Sequence, residues 1–211
     1  MDLALFDFDG TVTTRETFAD FIRFAAPASR TRVGGVALAP MVIGYRLGWI
    51  SGHRIGAVAI RMGLSGLRHD LLVEQGQRFA RERIPPLLRP EMMARIDWHR
   101  RRGDQVCVVT GALDTYMRPW CDAEGLELLA SKLQYQDTRA VGRYLGAQCV
   151  GAEKARRICE RFDLGIYPAV HAYGDTAEDF AMLRLARCAQ FRGHPWRDPD
   201  TGRVSAMWEQ A

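Results

Sequence analysis

The stretch "LALFDFDGTVT" (residues 3–13) decides the fold. Its apolar run, residues 3–8, is too short for a helix and is followed at once by a turn signal, so it reads as a buried strand. The strand ends in two acids one residue apart, Asp7 and Asp9, followed by Gly10 and Thr11. A chain that brings two carboxylates to a strand end needs a use for them.

Working outward, the period changes after Thr14, a helix-cap candidate. Phe18, Phe21, Ile22 and Ala25 fall at helical spacing. Helical patterns continue to about residue 90, where "RIPPLLRPEMM" (83–93) carries three prolines and marks a boundary. A helix is expected over 91–102, then a strand at 105–109 that ends at Thr110-Gly111, then another helix. "LELLASKL" (126–133) reads as a strand, and residues 140–162 move from a β-ribbon into a helix near Lys154. "AVHAYGDTAEDFAMLRLA" (169–186) repeats strand, polar turn and helix, and "CAQFRG" (188–193) is a last short strand. Strands alternating with helices predict an α/β fold: a Rossmann-like parallel sheet flanked by helices. The expected organisation is a core of residues 1–13 and 91–211, interrupted by a helical cap at 14–90.

Composition places the chain among ordinary globular proteins, at 211 residues, 47% hydrophobic and 26% charged. Disorder, low complexity and internal repeats are excluded. Five scattered cysteines without CxxC spacing read as reduced thiols. The opening run has no basic n-region or cleavage site, so no secretory signal is expected. The expected location is the cytoplasm, at most peripheral to a membrane. Residues 14–90 hold 12 arginines against 5 acids, a net of +7, while the rest holds 17 basic against 20 acidic residues, a net of −3. Such a basic segment suits an anionic substrate or an anionic lipid surface. The most apolar stretch, "VGGVALAPMVIGY" (33–45), is too short to span a bilayer and reads as a buried cap helix or a shallow membrane contact. No aromatic interleaving accompanies the "RRR" at 100–102, which reads as a helix C-terminus, so nucleic acid is not an expected partner. Histidines show no paired metal spacing and read as structural.

In a parallel sheet the carboxyl ends of the strands share one edge, where ligands bind. Three strands here end in polar residues: Asp7 with Asp9, Thr110 with Gly111, and Asp175 with Asp179. Carboxylates gathered there repel one another without a cation, and an oxygen-rich donor set suits Mg²⁺. The chain has 27 arginines and two lysines, Lys132 and Lys154, so a retained lysine marks a place for a compact charge. Acids, a lysine, a hydroxyl and glycine N–H groups together suit a phosphoryl group. One carboxylate attacks phosphorus, and a second two residues on trades a proton. An EF-hand reading of residues 5–16 fails, because its first ligand position is Leu5.

"DFDGT" (7–11), "VVTGA" (108–112), Lys154 in "GAEKARR" (151–157) and "GDTAEDFAML" (174–183) resemble the four ordered motifs of haloacid dehalogenase superfamily phosphatases. The insertion after the first motif resembles the cap of the phosphoserine phosphatase-like subgroup. The resemblance implies that Asp7 is the nucleophile and that Asp9 is the general acid/base. It places Mg²⁺ on Asp7, Asp175 and the Asp9 backbone carbonyl. Thr110 and Gly111 would hold phosphate oxygens, Lys154 would neutralise nucleophile and phosphate, and Asp179 would orient Lys154 or the metal's waters. Glu16 matches a substrate-facing glutamate, with Arg54 and Arg61 as candidate substrate-carboxylate partners. Glu178 departs from the subgroup, which usually has Asn there.

The expected activity is Mg²⁺-dependent hydrolysis of a small phosphorylated, phosphoserine-like metabolite. A phospholipid phosphate such as phosphatidylglycerophosphate is the alternative substrate. A receiver-type signalling module that only holds phospho-aspartate is the alternative class. Receivers, however, lack an acid two residues after the acceptor and an insertion of this length. The oligomeric state is not written in the sequence.

Overall fold

A computed structural model describes residues 1–30 and 52–206, the side chains of 52–54 excepted. The apolar stretch 33–45 therefore lies outside the described residues.

The central sheet has the strand order β3-β2-β1-β6-β7-β8. Its members are β1 (Leu3–Phe6), β2 (Gln105–Leu113), β3 (Glu127–Ser131), β6 (Val170–Gly174), β7 (Cys188–Phe191) and β8 (His194–Pro195). All pairings are parallel except β7 with β8. All four residues of β1 are fully buried, because β1 lies between β2 and β6 with both faces covered. Alternation divides the core. Ala4, Phe6 and Phe8 belong to one apolar cluster, and Leu3 and Leu5 to the other.

The helices are α1 (Phe18–Ala25), α2 (Gly52–Leu64), α3 (His69–Glu82), α4 (Pro90–Arg101), α5 (Asp114–Glu124), α6 (Ala152–Arg161) and α7 (Phe180–Leu185). α1 to α3 lie between β1 and β2 in the chain, and α1 packs its Phe21, Ile22 and Ala25 face into the first cluster. The two chain crossings into this helical segment run side by side. Thr13 bridges Leu88, Thr14 N donates to Leu87 O (2.8 Å), and Arg89 N donates to Val12 O (2.8 Å).

Several element boundaries differ from the sequence reading. β1 stops at Phe6, and residues 8–12 coil tightly, with Gly10 at φ +85°. A Cβ at Gly10 would collide with the Asp175 carboxylate, so only glycine serves there. The first helix starts at Phe18 rather than Thr14, because Thr14 is engaged by the returning crossing and Thr17 becomes the N-cap. β2 runs on to Leu113, with a register shift against β3 between Thr110 and Leu113. "LELLASKL" is divided between β3 and a hairpin, β4 (Leu133–Gln136) with β5 (Arg139–Tyr144). The hairpin faces the helical segment, since Gly66 N donates to Ala140 O (2.7 Å) and Ala140 N to Leu67 O (2.9 Å). Arg102, at the end of α4, does more than suit the helix dipole: it reaches Asp2 and Asp104 (3.0 Å each).

Candidate active site

Three neighbouring strands deliver the site. β1 ends before Asp7, β2 carries Thr110 and Gly111, and β6 ends before Asp175. β1 is flanked by β2, which continues the chain on one side, and by β6 on the other, so Asp7 stands where the strand order switches. Asp7 N donates to Tyr173 O (2.9 Å), which fixes the acid as the chain leaves the sheet.

Lys154 lies in the first turn of α6 and is 2% exposed. Its Nζ donates to Asp7 Oδ1 (2.5 Å) and to Asp179 Oδ1 (2.6 Å). Burial opposes its charge, but Asp7 and Asp179 outweigh that and raise its pKa above the usual lysine value. Asp179 is fully engaged. Its Oδ2 accepts from Asp175 N (3.0 Å), Thr176 N (3.0 Å) and Thr176 Oγ1 (3.3 Å). This carboxylate aims Lys154 and folds the turn, and little of it is left for a metal.

Asp175 accepts from Thr11 Oγ1 (3.1 Å). Asp7, Asp175 and Asp179 offer carboxylate oxygens within 4.8 Å of one another. Asp9 Oδ1 accepts from Thr17 N (2.9 Å) and Thr17 Oγ1 (2.6 Å), and Thr17 Oγ1 is 2.9 Å from Tyr116 OH. Burial raises the Asp9 carboxyl to about 6 against the pull of Thr17. Burial also pushes Asp7 up, with Lys154 working against it and Asp179 adding to it. A carboxyl that titrates close to neutral pH can both give up a proton and take one back.

Glu16 is solvent-exposed at the mouth, yet surrounding protein and then Asp9, Asp175 and Glu178 raise its carboxyl to about 7. Thr110 is buried, and its Oγ1 accepts from Ala112 N (3.1 Å). A Cβ at Gly111 would lie 2.7 Å from Val150 Cγ1, so any larger residue would push that side chain aside where β2 meets the loop. Thus Asp7, Asp9, Glu16, Lys154, Asp175 and Asp179 act on one another electrostatically at one edge. Arg61 is exposed in α2, with its Cα against the Gly142 position of the hairpin, and is not among the strongest influences on Glu16. Arg54 also lies in α2, but its side chain is outside the described residues.

The sequence reading missed Thr17, Tyr116 and Thr11. Thr11 stood inside the quoted stretch and could have been suspected. Tyr116 carried no signal, because its role depends on α5 meeting the residue before α1.

Fold and site define an α/β enzyme with an acid-rich centre on the carboxyl edge of its sheet. A model of haloacid dehalogenase-like hydrolases matches residues 4–184, and the chain belongs to that family. Protein CicA of Caulobacter vibrioides (strain NA1000 / CB15N) is 32% identical over 198 residues, covering 92% of this chain and 88% of that protein. A protein of unknown function from Bordetella pertussis Tohama I shares the fold with a TM-score of 0.77 at 22% identity, covering 89% of this chain and 87% of that one. A substrate-bound phosphoserine phosphatase matches with a TM-score of 0.66 at 20% identity, covering 90% of this chain and 85% of that one. The fold is that of the phosphoserine phosphatase-like members of the superfamily.

Proposed function

We propose that this hydrolase is a Mg²⁺-dependent phosphomonoesterase working through a phospho-aspartate on Asp7. One observation carries the reading: a buried ammonium is held between Asp7 and Asp179, beside Asp175 and Asp9. Four carboxylates against one lysine leave an excess of negative charge, and the donors are all oxygens. That set fits Mg²⁺. Asp7, Asp175 and the Asp9 carbonyl would hold it, and when bound it supplies neutralising charge for phosphoryl oxygens.

In this reading Asp7 attacks phosphorus, and the bond from phosphorus to the ester oxygen breaks. The Asp9 carboxylic acid gives its proton to the leaving alkoxide. Water then attacks the acyl phosphate, Asp9 takes a proton back, and phosphate leaves with Asp7 restored. Lys154 compensates charge on Asp7 and on the phosphoryl oxygens. Thr110 and Gly111 N–H position those oxygens.

The helical segment 14–90 acts as a cap that chooses the substrate. We infer a small phosphorylated metabolite, because Glu16 and Glu178 leave the mouth acidic and suited to a substrate amine. A solved structure of similar fold is a phosphoserine phosphatase with substrate bound, which supports the same class. Among the described residues no helix is long and apolar enough to cross a membrane, and the stretch 33–45 that raised the lipid-phosphate alternative lies outside them. Family membership removes the receiver alternative.

The test is steady-state turnover with Mg²⁺ of p-nitrophenyl phosphate, phosphoserine, sugar phosphates, histidinol phosphate and phosphatidylglycerophosphate. Turnover that disappears in Asp7→Asn is expected. No wild-type turnover on any of these would overturn the proposal.

A further inference from the structure

The crossings between core and helical segment border a second feature, whose lining includes none of the acids around Lys154. A cavity of about 360 Å³ opens where they meet α1 and α3. Phe24, Phe79 and Leu87 give it apolar lining, and Arg15, Arg23 and Arg83 stand around it. The volume suits a ring-sized ligand, at the small end for a binding pocket.

Its charge is unbalanced. Arg15 and Arg23 share one acid, Asp20, at 2.9 and 2.6 Å. Arg78 pairs with Glu82 (3.4 Å). Arg83 has no carboxylate partner among the described residues, and its Cζ lies 5.5 Å from the centroid of Phe24. The Arg78 Cζ lies 5.4 Å from the same ring. Three guanidinium groups thus line the cavity against two carboxylates, and two arginines, Arg83 of the lining and Arg78 beside it, lie over the Phe24 ring. Each guanidinium carries five N–H donors in a planar fork that matches a carboxylate or a phosphate. Cations stacked on an aromatic ring, next to apolar lining, fit an anion with a flat apolar body.

Position gives the cavity a consequence. Arg15 belongs to the outgoing crossing and Leu87 to the returning one, and these are the backbones joined by the Thr14 to Leu87 hydrogen bond. Two residues beyond Arg15, Thr17 holds Asp9.

We propose that this cavity is a second, non-catalytic site for a small soluble anion, a carboxylate or sulfonate on an aromatic or short acyl body, whose binding pins the two crossings together. The inference is independent of the reaction at Asp7.

The probe is 2-naphthoate, titrated by calorimetry into the full chain with saturating Mg²⁺ and inorganic phosphate to fill the catalytic centre. One-site binding is expected, retained in Asp7→Asn and weakened about ten-fold or more in Arg15→Ala/Arg83→Ala, the loss that charge-assisted hydrogen bonds imply. On wild type, the bound probe should slow amide exchange in residues 13–24 and in 79–89 together. That measurement decides the matter should the double variant fail to fold. No saturable binding, displacement by phosphate, unchanged affinity without the arginines, or protection outside both segments would overturn the proposal. So would binding to phosphatidylglycerol vesicles without binding to 2-naphthoate.

Discussion

Two buried polar clusters sit at opposite ends of the same strands. At the carboxyl edge Asp7, Asp9, Asp175 and Asp179 gather around Lys154. At the amino edge Asp2, Asp104, Arg102, His99 and His171 form a second group, which the Tyr173 hydroxyl reaches from further along β6. His99 Nδ1 is 2.9 Å from Asp104 Oδ2, and its Nε2 is 2.9 Å from Tyr173 OH. His171 Nε2 is 3.2 Å from Asp2 Oδ2, and Arg102 reaches both acids. The amino-edge acid Asp104 is held below its usual range by the Asp2 N–H, His99 and Arg102, although burial opposes them. At the carboxyl edge burial wins, and Asp7 and Asp9 are raised. Donors that satisfy both acids make a brace. An excess of buried acid around one lysine is the arrangement on which the proposed metal and phosphoryl chemistry rests.

The comparison breaks first at Asp7. Asp7→Asn should lower turnover on the order of 10⁴-fold or more, as loss of a nucleophile does, while far-UV dichroism stays native. Asp9→Asn should cost about 10²–10⁴-fold in kcat, read against KM in the same assay. Lys154→Ala leaves Asp7 and Asp179 without their shared cation and should destabilise the fold by about 3–5 kcal/mol, measured by urea unfolding. His99→Ala should cost about 1–3 kcal/mol, since Asp104 and Tyr173 lose a partner, with kcat and KM near wild type.

The smallest effect separates the clusters by pH. Burial lowers His99 to about 4, so the unfolded chain binds more protons below its ordinary value of 6.5. Stability from this group is complete above about pH 6.5 and is lost as pH falls toward 4. Asp9 runs the other way. Its carboxyl is raised to about 6, so the folded chain binds more protons and stability falls as pH rises from about 4 to 6. In metal-free wild type the two contributions oppose each other over the same range, so its thermal unfolding should change little with pH there, and each single variant should expose the slope of the other group. Asp9→Asn should leave the His99 slope, and His99→Gln the Asp9 slope. A His99→Gln profile identical to wild type would remove the brace from this account.

Much of the site was legible because strand ends of a parallel sheet share an edge. Asp7, Thr110 and Asp175 could be placed together from the alternation of strands and helices alone. Lys154 was legible by contrast with 27 arginines. The hairpin β4–β5 was half-seen, because "LELLASKL" gives one apolar run where the chain makes two strands. His99 and His171 were read as structural, but nothing in their spacing foretold that their rings would stand 4.8 Å apart. Helix α1 starts late for a reason outside its own sequence: Asp9 and Leu87 engage Thr17 and Thr14.

By itself the sequence determined the strand that carries two acids, the order of the motifs and the α/β class, because these follow from local period and turn chemistry. Tertiary structure decided what each acid does. Asp179 is saturated by its own turn and by Lys154, Asp9 is held by Thr17, and Asp104 is paired at the far edge. A carboxylate's role depends on burial and on which donors face it, and those donors come from segments far away in the chain.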